Sequence, residues 1–172
     1  MWFVSRARAF AWVIALSWLA PGVSAAAQTP VPLRGVNVVT VAASLVAPED
    51  GRPAGLTESR LQTLAELKLR GWALKVISAD EAATTPGVTP HVELEVTLLE
   101  TRALQKLAGY VYFTRLAVTE PVASHTGALV NAELWSHSFL SVSDPKGVIA
   151  DLERSAGELL DLFINEHLKS RR

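Results

Sequence analysis

The chain has 172 residues, of which 49% are hydrophobic and 19% charged, with 16 basic and 17 acidic side chains and no cysteine. This length fits one domain with a substantial core, and the near-neutral charge argues against a protein that binds nucleic acid through its phosphates. The absence of cysteine excludes disulfides, thiolate metal sites, a thiol nucleophile and a lipidated cysteine anchor.

Residues 1–27 are predicted to be a cleaved secretory signal peptide. Arg6 and Arg8 precede an apolar run over residues 9–20, and a Pro-Gly break and small residues up to Ala27 follow it. These are the three parts of such a signal, in order. The apolar run is shorter than the roughly 20 residues that a membrane-spanning helix needs. The mature protein is therefore expected to be periplasmic or secreted, with no transmembrane span.

Amino-terminal sequencing of the mature protein is expected to begin at Ala26 or Gln28. Signal peptidase requires small side chains at the first and third positions before the cut, and cleavage after Ala25 or Ala27 satisfies that requirement. A mature protein that still begins at Met1 would contradict the prediction.

The mature chain is predicted to consist of a linker over residues 28–34 and a single α/β domain over residues 35–172. Residues 36–46 are β-branched and almost wholly apolar. This pattern predicts a strand in the interior of the sheet that is covered on both faces.

An amphipathic helix is predicted after the loop over residues 48–55. Thr57 occupies the N-cap position, with Glu58 in the first turn. The apolar arc predicted to face the core consists of Leu61, Leu64, Ala65, Leu69 and Trp72. A short strand over residues 74–78 completes a β-α-β unit, which predicts a parallel pair of strands.

The second half of the domain is predicted to be three strands and a helix. Turn-forming residues fill 80–90, and residues 91–99 then alternate between apolar and polar. Further strands are predicted over 110–118 and 129–142. A closing helix is predicted to begin at Asp144-Pro145, with an apolar stripe of Ile149, Leu152, Ala156, Leu160 and Phe163.

This order of elements predicts an α+β fold with a mixed five-stranded sheet. A β-α-β unit is followed by a three-strand antiparallel meander and a carboxyl-terminal helix, with the helices packed against the sheet.

The common catalytic and phosphate-binding motifs are absent, so the sequence predicts no catalytic residue, cofactor or metal ligand. Glu133, Trp135 and His137 would share one face of a regular strand. Two ligands are too few for a zinc site, so the favoured interpretation is an aromatic packing residue with solvated neighbours.

Two further polar sets receive structural interpretations. His91, Glu93 and Glu95 are expected on a solvated face, where Arg115 or Lys106 could pair with the glutamates across strands. A hydrolase would need a serine, a histidine and an aspartate brought together, and the candidates are Ser138, Ser143, His125, His137 and Asp144.

The predicted binding surface is formed by aromatic and apolar residues. Tyr110 and Tyr112 lie on one face of their strand with Thr114, and tyrosine provides apolar contact area at a low entropic cost. Trp135 and His137 are added from the next strand, and Leu162 from the closing helix. The favoured interpretation of this strand nevertheless places one face under a helix, with the tyrosines at its rim.

Three segments carry a resemblance to known proteins: LRGVNVV (33–39), GLTESRLQTLAELKLRGW (55–72) and FINEHL (163–168). In these landmarks the chain resembles an uncharacterised family of short exported bacterial α/β proteins. Its order of elements is similar to that of the amino-terminal domain of TolB and of CsgG-like envelope proteins. The resemblance implies a small envelope-associated α/β domain and supplies no catalytic residues.

The leading hypothesis is an exported, non-enzymatic accessory module that binds an envelope protein or a second copy of itself. Two alternatives stay open: a carrier of a small hydrophobic ligand held between sheet and helix, and a hydrolase with an unrecognised site.

Overall fold

The computed structural model describes residues 33–48, 51–72, 74–101 and 109–171. The predicted leader, its cleavage sites and Lys106 lie outside the described residues. In chain order the elements are β1 (Val38–Val46), α1 (Glu58–Gly71), β2 (Lys75–Val76), α2 (Ala79–Thr84), β3 (His91–Glu100), β4 (Tyr110–Ala123), β5 (Leu129–Ser143) and α3 (Val148–Ser170).

The five strands form one mixed sheet in the order β2-β1-β3-β4-β5. β1 pairs in parallel with both β2 and β3, whereas β3, β4 and β5 form an antiparallel meander. The predicted fold class, the parallel β-α-β unit and the closing helix are confirmed.

Helices α1 and α3 contact each other and pack on the same face of the sheet. The helices cover this face because its residues are apolar. In β3, for example, Val92, Leu94, Val96 and Leu98 point to this face, and all four are at most 1% exposed. They meet the buried residues of α3 in one continuous core. The opposite face of the sheet has no helix packed on it among the described residues, and we call it the open face.

The open face corrects the prediction that the first strand is covered on both sides. β1 is an interior strand, yet Val46 at its end is 64% exposed. The apolar run arises because Val39, Val41, Ala43 and Leu45 face the helices, while Thr40, Ala42, Ser44 and Val46 lie on the open face.

Local capping follows the sequence at α1 but not at α3. The Thr57 hydroxyl accepts a hydrogen bond from the Arg60 amide at the start of α1, which satisfies an amide that the helix leaves unpaired. The predicted start of the closing helix at Asp144-Pro145 is wrong: α3 begins at Val148, its N-cap is Gly147, and no side chain among the described residues caps it. The Asp144 carboxylate instead accepts hydrogen bonds from the Lys146 and Gly147 amides in the turn before the helix.

Several predicted details are wrong. Trp72, assigned to the core-facing arc of α1, is 51% exposed. Residues 80–90 were expected to form turns, yet Ser78 caps the short helix α2. β4 continues to Ala123, beyond the predicted end. Leu33, placed in the linker, is buried in the core.

Among the described residues, none of the helices combines the length and the apolar character that crossing a membrane requires.

Candidate binding surface

The predicted tyrosine surface faces the helices. Tyr112 is 3% exposed, and its hydroxyl lies 3.2 Å from the Ser155 hydroxyl of α3. Thr114, two residues on, is fully buried, and Tyr110 is partly buried against the core. Tyr112 is therefore not part of an exposed surface, and the favoured interpretation, a strand face under a helix, is what the structure shows.

A β-bulge in β5 separates Glu133 from Trp135 and His137, although all three were expected to share one face. Opposite Val118 and Thr119 the register shifts, so Trp135 pairs with Val118 and Glu133 pairs with Thr119. The extra residue reverses the alternation of side chains. Trp135 consequently packs on the helix side, whereas Glu133 lies on the open face.

The aromatic residues of β5 contribute to packing. The Trp135 ring lies 5.6 Å from the Phe163 ring of α3 and 6.3 Å from the His137 ring. Trp135 is half-buried and His137 is exposed at the edge of the helix-covered face. Leu162 is exposed on α3, as expected. Whether His137 and Leu162 contact a partner stays a prediction.

The polar residues considered for hydrolysis make structural contacts. The Ser143 hydroxyl donates a hydrogen bond to the Asp151 carboxylate, which lowers the pKa of Asp151. No serine side chain is hydrogen-bonded to a histidine ring in the part of the chain that the structure describes. Within that part, no three histidine, aspartate or glutamate side chains are grouped so that they could hold a metal ion.

An exposed apolar cluster lies at one end of the open face. β3, β4 and β5 place Leu99, Val111 and Val142 in one cross-strand row, and the next row is Val46, Thr97, Phe113 and Leu140. Five of these side chains are exposed; we call them the apolar corner: Val46 (64%), Leu99 (57%), Phe113 (37%), Leu140 (73%) and Val142 (73%). Contiguous apolar patches on a protein surface commonly mark interaction sites.

A charged row borders the apolar corner. Arg115 of β4 donates hydrogen bonds to Glu95 of β3, at 3.0 Å, and to Glu133 of β5. The hydrogen bond with Glu95 raises the pKa of Arg115 above its usual value. Arg115 lies opposite Glu95, as the sequence led us to expect. Ser44 and Ser138 complete the row, so the open face changes from apolar to charged along the strands.

The outer surface carries a groove of about 780 Å³ between α1 and α3. Leu64, Leu67 and Gly157 line it, and Leu67 is 63% exposed. Lys68 closes one side by donating hydrogen bonds to the Gly157 carbonyl and to Asp161. This is the space between two helices, not the pocket between sheet and helix that a ligand carrier was expected to have.

His167 near the end of α3 is the buried titratable side chain of the core. It is 3% exposed, its ring stacks on Phe163 at 6.2 Å, and its Nδ1 atom has no hydrogen-bond partner among the described residues. Burial lowers the pKa of His167 below its usual 6.5, and the positive charge of Arg171 acts in the same direction. A hydrogen bond with the Leu33 backbone opposes the shift.

The free energy of unfolding is expected to fall as the pH drops through 6.5. The unfolded chain then binds a proton at His167 that the folded chain resists, so the stability present above the unfolded pKa is progressively lost. Urea denaturation at pH 7.5 and 5.5 measures the effect, and His167→Gln, which stays neutral, should reduce it. Equal pH dependence in both proteins would contradict this assignment.

Comparisons with known proteins find structural neighbours only. No family model matches the chain, and no curated protein matches it. A PelC dodecamer subunit from Paraburkholderia phytofirmans is 17% identical with a TM-score of 0.46, covering 73% of this chain and 85% of its own. A neuraminyllactose-binding hemagglutinin homolog from Helicobacter pylori is 12% identical with a TM-score of 0.46, covering 77% and 84%. A minor lipoprotein from Acinetobacter baumannii is 11% identical with a TM-score of 0.39, covering 76% and 90%.

Likenesses this distant say nothing about what the present chain binds. The resemblance to TolB and CsgG-like proteins stays a prediction. The function must be argued from the surface of the chain itself.

Tyr112, which the sequence offered for a possible binding surface, is buried under α3. A signal for the open face was present: Val111, Phe113 and Arg115 alternate with the tyrosines and form the other face of the same strand. Leu140 and Val142 alternate with serines in β5, and the pattern alone did not show which set faces the helices.

Proposed function

We propose that this chain is an exported, non-enzymatic module of the cell envelope that binds another protein through the open face of its sheet. The observation that carries the proposal is the apolar corner, where five large side chains lie together on a face that no helix of the described residues covers. Removing apolar surface from water contributes roughly 25 cal/mol per Å². A partner that covers this corner therefore gains much of its binding energy there.

The arrangement around the corner resembles the anatomy of protein interfaces. Their centres are apolar with aromatic residues, and their rims are polar. Phe113 lies within the corner, and the Glu95–Arg115 pair borders it. The open face thus offers both contact area and charges that orient a partner.

Two polar side chains of the rival hydrolase hypothesis already have structural partners. The Ser143 hydroxyl is hydrogen-bonded to the Asp151 carboxylate, and the Asp144 carboxylate accepts hydrogen bonds from the Lys146 and Gly147 amides. These contacts support the assignment of a structural role to Ser143 and Asp144.

The groove between α1 and α3 supports a second candidate, a carrier of a small apolar ligand. Its volume of about 780 Å³ lies within the range of ligand sites, and Leu64 and Leu67 provide apolar walls. Native mass spectrometry of freshly purified protein tests it, because a carrier should retain mass beyond that of the polypeptide.

Capture experiments with matched variants separate the two surfaces. Leu140→Glu places a charge in the apolar corner, and Leu67→Glu makes the same change in the groove; both leucines are exposed, so both variants should keep the wild-type melting temperature. We expect immobilised Leu140→Glu to lose the proteins that wild type captures from envelope extracts, while Leu67→Glu retains them.

The reverse result would contradict the proposal. If Leu140→Glu captures the same proteins as wild type, the open face is not the binding surface. Loss of capture in Leu67→Glu or in Leu162→Glu would instead place binding on the helices.

A further inference from the structure

We propose that a second copy of this chain covers the open face, forming a two-fold dimer in which the two sheets pack face to face. This inference rests on the proposed function, since it names the partner of the same surface. It is carried by the self-complementarity of the face in both charge and shape.

The charged row determines the symmetry that two copies can adopt. Glu95 of β3 and Arg115 of β4 lie side by side in neighbouring strands. A two-fold axis that runs parallel to the strands, between β3 and β4, places β3 of one copy over β4 of the other. Each Glu95 then faces the Arg115 of the second copy, so both charges meet their opposites. Complementary charges across an interface favour this orientation over misaligned ones.

The same axis matches the apolar corner with itself. β1 of one copy then lies over β5 of the other, which places Val46 against Leu140. Leu99 faces Val111, and these contacts bury three side chains that are exposed in the single chain: Val46, Leu99 and Leu140. Sheets that pack face to face keep their strands within about 30° of parallel, so the arrangement is a common one.

Large side chains also meet small ones under this symmetry. Phe113 faces Thr97, and Glu93 faces Ala117, which is itself buried. Two sheets about 10 Å apart interdigitate well when bulky and small residues face each other.

The size of the face fits a stable dimer. β3, β4 and β5 carry five cross-strand rows, from Leu99–Val111 to His91–Thr119, and β1 contributes to four of them. With strands about 4.8 Å apart, these rows give the face roughly 600 Å² in projection. Each partner in a standard stable interface buries about 800 Å² of accessible surface, and a pleated face has more accessible surface than its projection.

Charge-exchange variants test the proposal. Glu95→Arg leaves two positive charges in the central row, and Arg115→Glu leaves only negative ones, so neither variant should form dimers with itself. An equimolar mixture should form heterodimers, because opposite charges then meet. Sedimentation velocity at micromolar concentration measures the oligomeric state of wild type, of each variant and of the mixture. We expect wild type to be a dimer, each variant a monomer, and the mixture a dimer again.

Recovery in the mixture distinguishes dimer contacts from folding defects. Both substitutions break the internal Glu95–Arg115 pair, and a protein that fails to fold would not recover when it is mixed with another. Leu140→Glu provides a second variant on an exposed site, and we expect its dimer dissociation constant to rise about tenfold or more. Leu67→Glu should dimerise as wild type does.

The outcomes separate this inference from the proposed function. A monomeric wild type, or a mixture that stays monomeric, overturns the dimer. If a monomeric wild type still loses partner capture on Leu140→Glu, the open face binds a different protein and the proposed function stands. If Leu140→Glu alters neither the oligomeric state nor the capture, both fail.

Discussion

Phe163→Ala is expected to lower the free energy of unfolding by about 3–5 kcal/mol, the range for removing a buried aromatic ring. Phe163 is fully buried where α3 meets the sheet, and it contacts both Trp135 of β5 and His167 of its own helix. Truncation leaves a cavity between the Trp135 and His167 rings, which are too rigid to fill it. Since domains of this size are stable by about 5–15 kcal/mol, one such change removes a large share of that stability.

Chemical denaturation of both proteins measures this difference. Leu162→Ala provides the control, because its side chain neighbours Phe163 in the chain but is exposed. We expect the control to change the free energy of unfolding by less than about 1 kcal/mol. Similar losses for the two variants would show that α3 does not pack with Phe163 towards the sheet.

The second large effect is expected at Leu94 in the middle of β3. β3 is the central strand of the five, and Leu94 is fully buried against the helices. Leu94→Ala should lower the free energy of unfolding by about 2–5 kcal/mol.

Glu93→Ala is the matched control on the same strand. Glu93 lies on the open face and is partly exposed, so its loss should have little effect on the midpoint of urea denaturation. Equal destabilisation by both substitutions would contradict the assignment of the two sides of β3.

The fold could be predicted for those elements in which apolar residues lie on one face only. The alternation in β3, the Thr57 cap and the apolar stripe of α3 each identified an element and its orientation. These signals are local: a period of two or 3.6 residues and a cap at the first turn. The order of elements then implied a parallel pair followed by an antiparallel meander.

The candidate site was less predictable because it depends on which face the helices cover. Tyr112 and Phe113 are neighbouring aromatic residues on opposite faces of β4, and only the packing of α3 decides that the tyrosine is the buried one, with its hydroxyl near Ser155. A strand with apolar residues on both sides has no internal marker of its solvent face. The bulge at Leu134 is a further obstacle, since one extra residue moves Glu133 to the face opposite Trp135.

The apolar corner is a property of register between strands. Val46, Phe113 and Leu140 are distant in sequence and become neighbours only when β1, β3, β4 and β5 are aligned. Within its own segment none of these residues indicates a binding surface, because single exposed apolar residues are normal on protein surfaces.

Site-specific photo-crosslinking in intact cells tests most directly whether the open face is the surface by which the protein is bound. A photoreactive amino acid replaces Leu140 in the apolar corner or, as the control, Leu67 in the helix groove; both positions are exposed. We predict a crosslinked adduct of discrete mass from position 140, either with a second copy or with another protein, and none from position 67. Adducts from position 67 with none from position 140 would contradict the account.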